Sequence, residues 1–145
     1  VPASRSRSVT TERGNELARI LIVDDDQDLL EGQRIFLEGK GYPVQTADSL
    51  ANGIEALDRF KPELILADLM MEHYDTGFVF CKKVRERPGM GKLPIIMQTS
   101  AAREIGFTFD ARDPEARKWM HVDEVLTKPI PLEDLEARIR GYLGK

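Results

Sequence analysis

Apolar and polar positions alternate in blocks along the chain, and each block has the length of one secondary-structure element. "RILIVD" at residues 19–24 is a short β-branched run of the kind that forms a strand buried on both faces. A helical stretch follows, with Leu29/Phe36 and Leu30/Leu37 each seven apart, closed by Gly39 and Gly41. "YPVQTA" reads as a second strand. "DSLANGIEALDRF" places Leu50, Ile54 and Leu57 on one helical face and starts at Asp48 or Ser49. "PELILAD" is a third strand, and a helix from about Phe78 to Arg87 stops before Pro88-Gly89. "LPIIMQTS" and "DEVLTK" supply two more strands. "PLEDLEARIRGYLG" is a closing helix with Pro131 at its first position and Leu132, Leu135, Ile139 and Tyr142/Leu143 on one face. Five strand–helix alternations predict an α/β domain with a parallel sheet covered by helices on both faces.

Composition narrows the class. The 145 residues suffice for one core, and 41% hydrophobic with 32% charged content reads as a globular domain. No apolar run reaches the length of a membrane span, and no signal-peptide core is present in the chain. Residues 1–17, rich in Ser, Arg and Thr without an apolar period, read as a flexible tail or linker, and residues 18–145 as the domain. Cys81 is the sole cysteine, so an internal disulfide is excluded and a reducing, cytoplasmic home is expected. A net charge of −4 argues against direct nucleic-acid binding. The chain begins with Val1, as an excised or processed piece would.

In an open parallel sheet, ligands gather beyond the C-terminal ends of the strands. Those ends carry Asp24 and Asp25, Asp68, Thr99 and Ser100, and Lys128. Singly, such residues are turn formers, caps or solvated charges. Together, three converging carboxylates need a cation among them, and an incomplete set of hard oxygen ligands suits Mg²⁺. A lysine point charge and a hydroxyl donor suit phosphoryl oxygens. Asp68 stands alone on its strand, free to act as a nucleophile, while the paired acids hold the metal. The third acid of "ILIVDDDQDLL", Asp26, is placed to cap the following helix.

The pieces "ILIVDDD", "ELILADLMM", "PIIMQTS" and "VLTKPI", in this order over residues 19–143, resemble a response-regulator receiver domain, the CheY-like module of two-component signalling. The resemblance implies a doubly wound, flavodoxin-like fold with strand order 2-1-3-4-5. It further implies that Asp68 is a phosphoacceptor taking a phosphoryl group from the phosphohistidine of a histidine kinase or phosphotransfer protein. Asp24, Asp25 and the main-chain carbonyl of Met70 would join Asp68 around Mg²⁺. Thr99 would be the switch hydroxyl and Lys128 the partner of the phosphoaspartate, with Lys128–Pro129 a cis bond. Such a protein is a regulator that catalyses only its own phosphotransfer and dephosphorylation, and it acts on a downstream effector. The chain closes after the last helix, so the expectation is a receiver without an output domain, standing alone or ending a larger protein such as a hybrid kinase.

Several positions depart from the family pattern. Glu72 replaces the usual proline after the phosphoacceptor, in a loop that holds an extra residue and His73. Val125 occupies the place of the usual aromatic switch residue, so Thr99 is expected to move without an inward aromatic partner. Thr99 and Lys128 lie 29 positions apart, more than the family uses, and the added length falls in 101–122. That stretch reads as a longer loop with tucked aromatics or as a remodelled docking surface anchored by Trp119 or Phe107. Met70 and Ala101, two residues beyond Asp68 and Thr99, lack side chains able to orient an attacking water, which predicts a long-lived phosphoaspartate.

Two other readings compete. "ILIVDDD" also fits a haloacid-dehalogenase-type phosphatase with Asp24 as nucleophile and Asp26 as acid/base, but no Asp-Asp pair follows Lys128 and Asp68 would have no role. A degenerate receiver serving as a constitutive binding module would have no need of the intact acid–lysine set. A dinucleotide-binding fold lacks its Gly-x-Gly-x-x-Gly.

Overall fold

The computed structural model describes residues 17–68, 71, 76–99 and 121–144. Strands β1 (Ile20–Val23), β2 (Val44–Ala47), β3 (Leu64–Asp68), β4 (Ile95–Thr99) and β5 (Glu124–Thr127) alternate with helices α1 (Gln27–Gly39), α2 (Leu50–Phe60), α3 (Thr76–Glu86) and α4 (Leu132–Leu143). All strand pairs are parallel, in the order β2-β1-β3-β4-β5. This is the order that the resemblance implies.

The period-two geometry of a strand sends successive side chains to opposite faces. Leu21 and Val23 of β1, Ile65 and Ala67 of β3, and Ile95 and Met97 of β4 join a core with Ala56, Leu57, Phe80 and Val84 from α2 and α3. Ile20, Ile22, Leu64, Leu66 and Ile96 meet Leu30, Leu37, Leu135 and Ile139 from α1 and α4 on the other face. The central strands are therefore apolar on both faces over Ile20–Val23, Leu64–Ala67 and Ile95–Met97, and polar residues enter β3 and β4 only at their C-terminal ends, at Asp68 and at Gln98 and Thr99.

Local chemistry sets the helix ends. The Asp26 carboxylate accepts the Leu29 N–H and caps α1, and the Ser49 hydroxyl does the same for α2 through Asn52 N–H. Of the two caps open for α2, Ser49 is the one used. α3 starts at Thr76, two residues before the expected Phe78, and both Thr76 and Gly77 are buried. Pro131 sits at the N-cap of α4, one position before the helix proper. Leu17 packs against the α1/α4 core, while residues 1–16 of the polar lead lie outside the described residues.

At the end of the sheet opposite the acidic strand ends, Arg85 of α3 ties loops together. Its guanidinium donates to the carbonyls of His121, Met90 and Leu93, and pairs with Asp123, which accepts the Ile95 N–H. One planar fork thereby fixes the starts of β4 and β5 relative to α3. Among the described residues, no helix is long and apolar enough to cross a membrane.

Candidate functional site

The register of the sheet assembles the acids. β1 and β3 run side by side with Val23 opposite Ala67, so the next residues, Asp24 and Asp68, emerge at one level. Asp24 N–H donates to Ala47 O at 3.0 Å, which extends the ladder one residue past β1 and holds the acid in place. Asp24 is 1% exposed and Asp68 6%, whereas Asp25 is exposed. Carboxylate oxygens of Asp24, Asp25 and Asp68 lie within 4.8 Å of one another, a set of hard ligands that could hold a metal ion.

Lys128 arrives from the end of β5. Its N–H donates to Thr99 O at 3.1 Å, and a cis peptide joins it to Pro129, as the resemblance implies. The ammonium donates to Asp24 Oδ2 at 2.8 Å and lies 3.7 Å from Asp68 Oδ1. The second oxygen of Asp24 accepts the Asp26 N–H at 2.9 Å. Burial pulls the Lys128 pKa down, but the hydrogen bond to Asp24 and the charges of Asp68, Asp24 and Asp26 outweigh it, leaving it above the usual lysine value. The lysine therefore stays protonated among the acids.

Thr99 is buried at the end of β4, opposite Thr127 and next in sequence to buried Gln98. The structure thus brings together Asp24, Asp25, Asp68 and Lys128, with Thr99 on the adjacent strand end. Met70, Glu72, His73, Ser100, Ala101, Phe107 and Trp119 lie outside the described residues. Val125 is partly buried and packs against the α2/α3 core, so its side chain serves packing.

Sequence reasoning passed over Gln33 and Gln98. Their carboxamides form a reciprocal pair between α1 and β4, at 2.8 and 3.0 Å. The available signal was a lone amide in the apolar run "PIIMQT", where a buried polar group requires a partner.

Known proteins bear on this arrangement. The family model described as the response regulator receiver domain matches residues 20–140. The DNA-binding dual master transcriptional regulator RpaA of Synechocystis sp. is 35% identical over 129 residues, which cover 89% of this chain and 50% of that protein. An uncharacterized 14.6 kDa protein of Leptolyngbya boryana is 36% identical over 123 residues, covering 85% of this chain and 88% of its own length. The crystal structure of a CheY-like response regulator receiver domain protein from Methanospirillum hungatei superposes with a TM-score of 0.71 at 27% identity, covering 89% of this chain and 95% of that one. The chain spans about half the length of RpaA, so the similarity lies in one shared domain. With its sheet order, its acidic strand ends and these matches, the chain belongs to the response regulator receiver domain family.

Proposed function

We propose that the chain is a phosphorylation-activated receiver in which Asp68 accepts a phosphoryl group from the phosphohistidine of a histidine kinase or phosphotransfer protein. An Asp68 carboxylate oxygen forms the new bond to phosphorus as the P–N bond breaks and the imidazole leaves with its bonding pair. The observation that carries this reading is the ammonium of Lys128, 3.7 Å from Asp68 and held by Asp24, beside three clustered carboxylates.

The residues divide by role. Asp24 and Asp25, with Asp68, form the set that would hold Mg²⁺, and the Met70 carbonyl is proposed as a further ligand. Bound there, Mg²⁺ would offset the repulsion between carboxylates and phosphoryl oxygens. Lys128 supplies a fixed positive charge to the phosphorylated side chain, and Thr99 the hydroxyl that turns toward it. Asp24 is a poor nucleophile because both of its oxygens already accept hydrogen bonds, from Lys128 and from the Asp26 N–H. The only reaction ascribed to the chain is its own phosphotransfer and dephosphorylation. A cytoplasmic location, a downstream effector and no direct contact with nucleic acid complete the reading.

Incubation with acetyl phosphate and Mg²⁺, followed by peptide mapping, tests it. The expected outcome is one phosphoryl group on Asp68, abolished in Asp68→Asn and by chelation. Label on Asp24 with steady turnover would favour a phosphatase. No uptake of phosphate or beryllofluoride would favour a constitutive binding module.

A further inference from the structure

Beside the acidic site, a cavity of about 530 Å³ opens between α1 and the β5–α4 connection. Leu29, Ile130 and Leu132 give it apolar walls, and Gly32 leaves one side of α1 without a side chain. Gln33 and Gln98, 5% and 1% exposed, also line it. Their mutual hydrogen bonds use one donor and one acceptor of each carboxamide. A carboxamide has two N–H donors and can accept two hydrogen bonds. Among the described residues neither side-chain amide has another partner, so each retains a donor and an acceptor at the wall of the cavity.

Packing alone gives no reason for this. The neighbours of Gln98 on β4, Ile95, Ile96 and Met97, are fully buried apolar residues. A buried carboxamide pair at the wall of a cavity offers the second donor and acceptor of each amide to whatever occupies that cavity. An apolar-walled cavity of this size with a few convergent polar groups is the usual form of a small-molecule site. Charge limits the ligand further. Asp26 and Asp28, both exposed, line the cavity, and the Lys128 ammonium beside them is already engaged with Asp24. An anion entering there would meet carboxylates.

The geometry points to a binding site for a small flat nitrogen heterocycle, uncharged or cationic, whose adjacent donor and acceptor pair with the Gln33 and Gln98 amides. The site is separate from the phosphoacceptor, although Lys128 borders both.

The test is an NMR titration of the full chain, unphosphorylated and without Mg²⁺, so its outcome does not depend on whether Asp68 accepts phosphate. The probe is 2-aminopyrimidine, which carries the required edge, and benzoate is the anionic control of similar size. The side-chain N–H signals of Gln33 and Gln98 should shift saturably with 2-aminopyrimidine and stay in place with benzoate. Gln98→Leu should abolish the response at Gln33. Should that variant fail to fold, Gly32→Leu decides the matter, because a Cβ at Gly32 meets nothing within 4 Å and its side chain has space to enter the cavity. It should weaken binding by about tenfold or more, a loss on the scale of a few buried contacts. Absence of saturable shifts at millimolar probe overturns the inference, as do equal shifts with benzoate or undiminished binding in Gly32→Leu. Carboxamide protons that exchange magnetisation with water alone at millimolar probe would identify a water-filled cavity and overturn it as well.

Discussion

Lys128 is the residue on which the charge balance of the site turns. Its ammonium lies 2.8 Å from Asp24 and 3.7 Å from Asp68, with its side chain 18% exposed. Asp24 is buried, so removing the lysine leaves a carboxylate without its counter-charge in a medium that solvates it poorly. Lys128→Met should therefore destabilise the metal-free protein by about 2 kcal/mol, less than a fully buried pair because solvent reaches the ammonium. Millimolar Mg²⁺ should restore more stability to the variant than it adds to the parent, since a cation no longer competes with the ammonium for Asp24. Urea unfolding with and without Mg²⁺ checks this; an equal loss in both conditions would show that Lys128 and the metal do not share Asp24. These residues were legible in the sequence because each lies at or just past the C-terminal end of a strand, and a parallel sheet collects such positions at one edge. The Gln33–Gln98 pair was not, because its members are 65 positions apart and no local pattern joins a helix amide to a strand amide.

At the scale of elements, helices α1 and α2 each contain an interior glycine, and their surroundings give the two opposite roles. A Cβ at Gly32 meets nothing within 4 Å, whereas one at Gly53 would lie 3.0 Å from Phe80 Cε1 and 3.3 Å from Val23 Cγ1. Alanine gains about 0.5–1 kcal/mol over glycine in a helix interior. Gly32→Ala should keep that gain. At Gly53, Phe80 and Val23 are fully buried and have little room to yield, and overpacking costs typically 1–3 kcal/mol. Gly53→Ala should thus be destabilising by about 1 kcal/mol, which thermal melts of the two variants will resolve as shifts of opposite sign. The elements themselves were readable from period and caps: five strands were placed correctly, and α1 and α2 follow their apolar stripes. What periodicity could not give was the start of α3 at Thr76, because Thr76 and Gly77, although buried, belong to no apolar repeat. The Arg85 fork was equally hidden, since its acceptors are main-chain carbonyls that carry no side-chain signature.

For the whole molecule, the sole cysteine reports on the integrity of the core. Cys81 is fully buried between α3 and the sheet. Burial pushes its thiol up to about 12, against a smaller downward pull from Arg85. In the unfolded chain a thiol ionises near pH 8.5. Above that value the unfolded state releases a proton that the folded state retains, so unfolding becomes easier as pH rises toward about 12. Below pH 8.5 the thiol is neutral in both states and contributes no slope. Tyr42, also pushed up to about 12, by burial first and by Glu136 next, adds a similar loss only from about pH 10 upward. Between roughly pH 8.5 and 10 the decline therefore belongs mainly to Cys81. The urea midpoint of the parent should fall across that interval. Cys81→Ala, weakened by about 1 kcal/mol at neutral pH through lost packing, should hold its midpoint nearly constant there. A variant that declines as steeply as the parent would place the alkaline sensitivity outside the core.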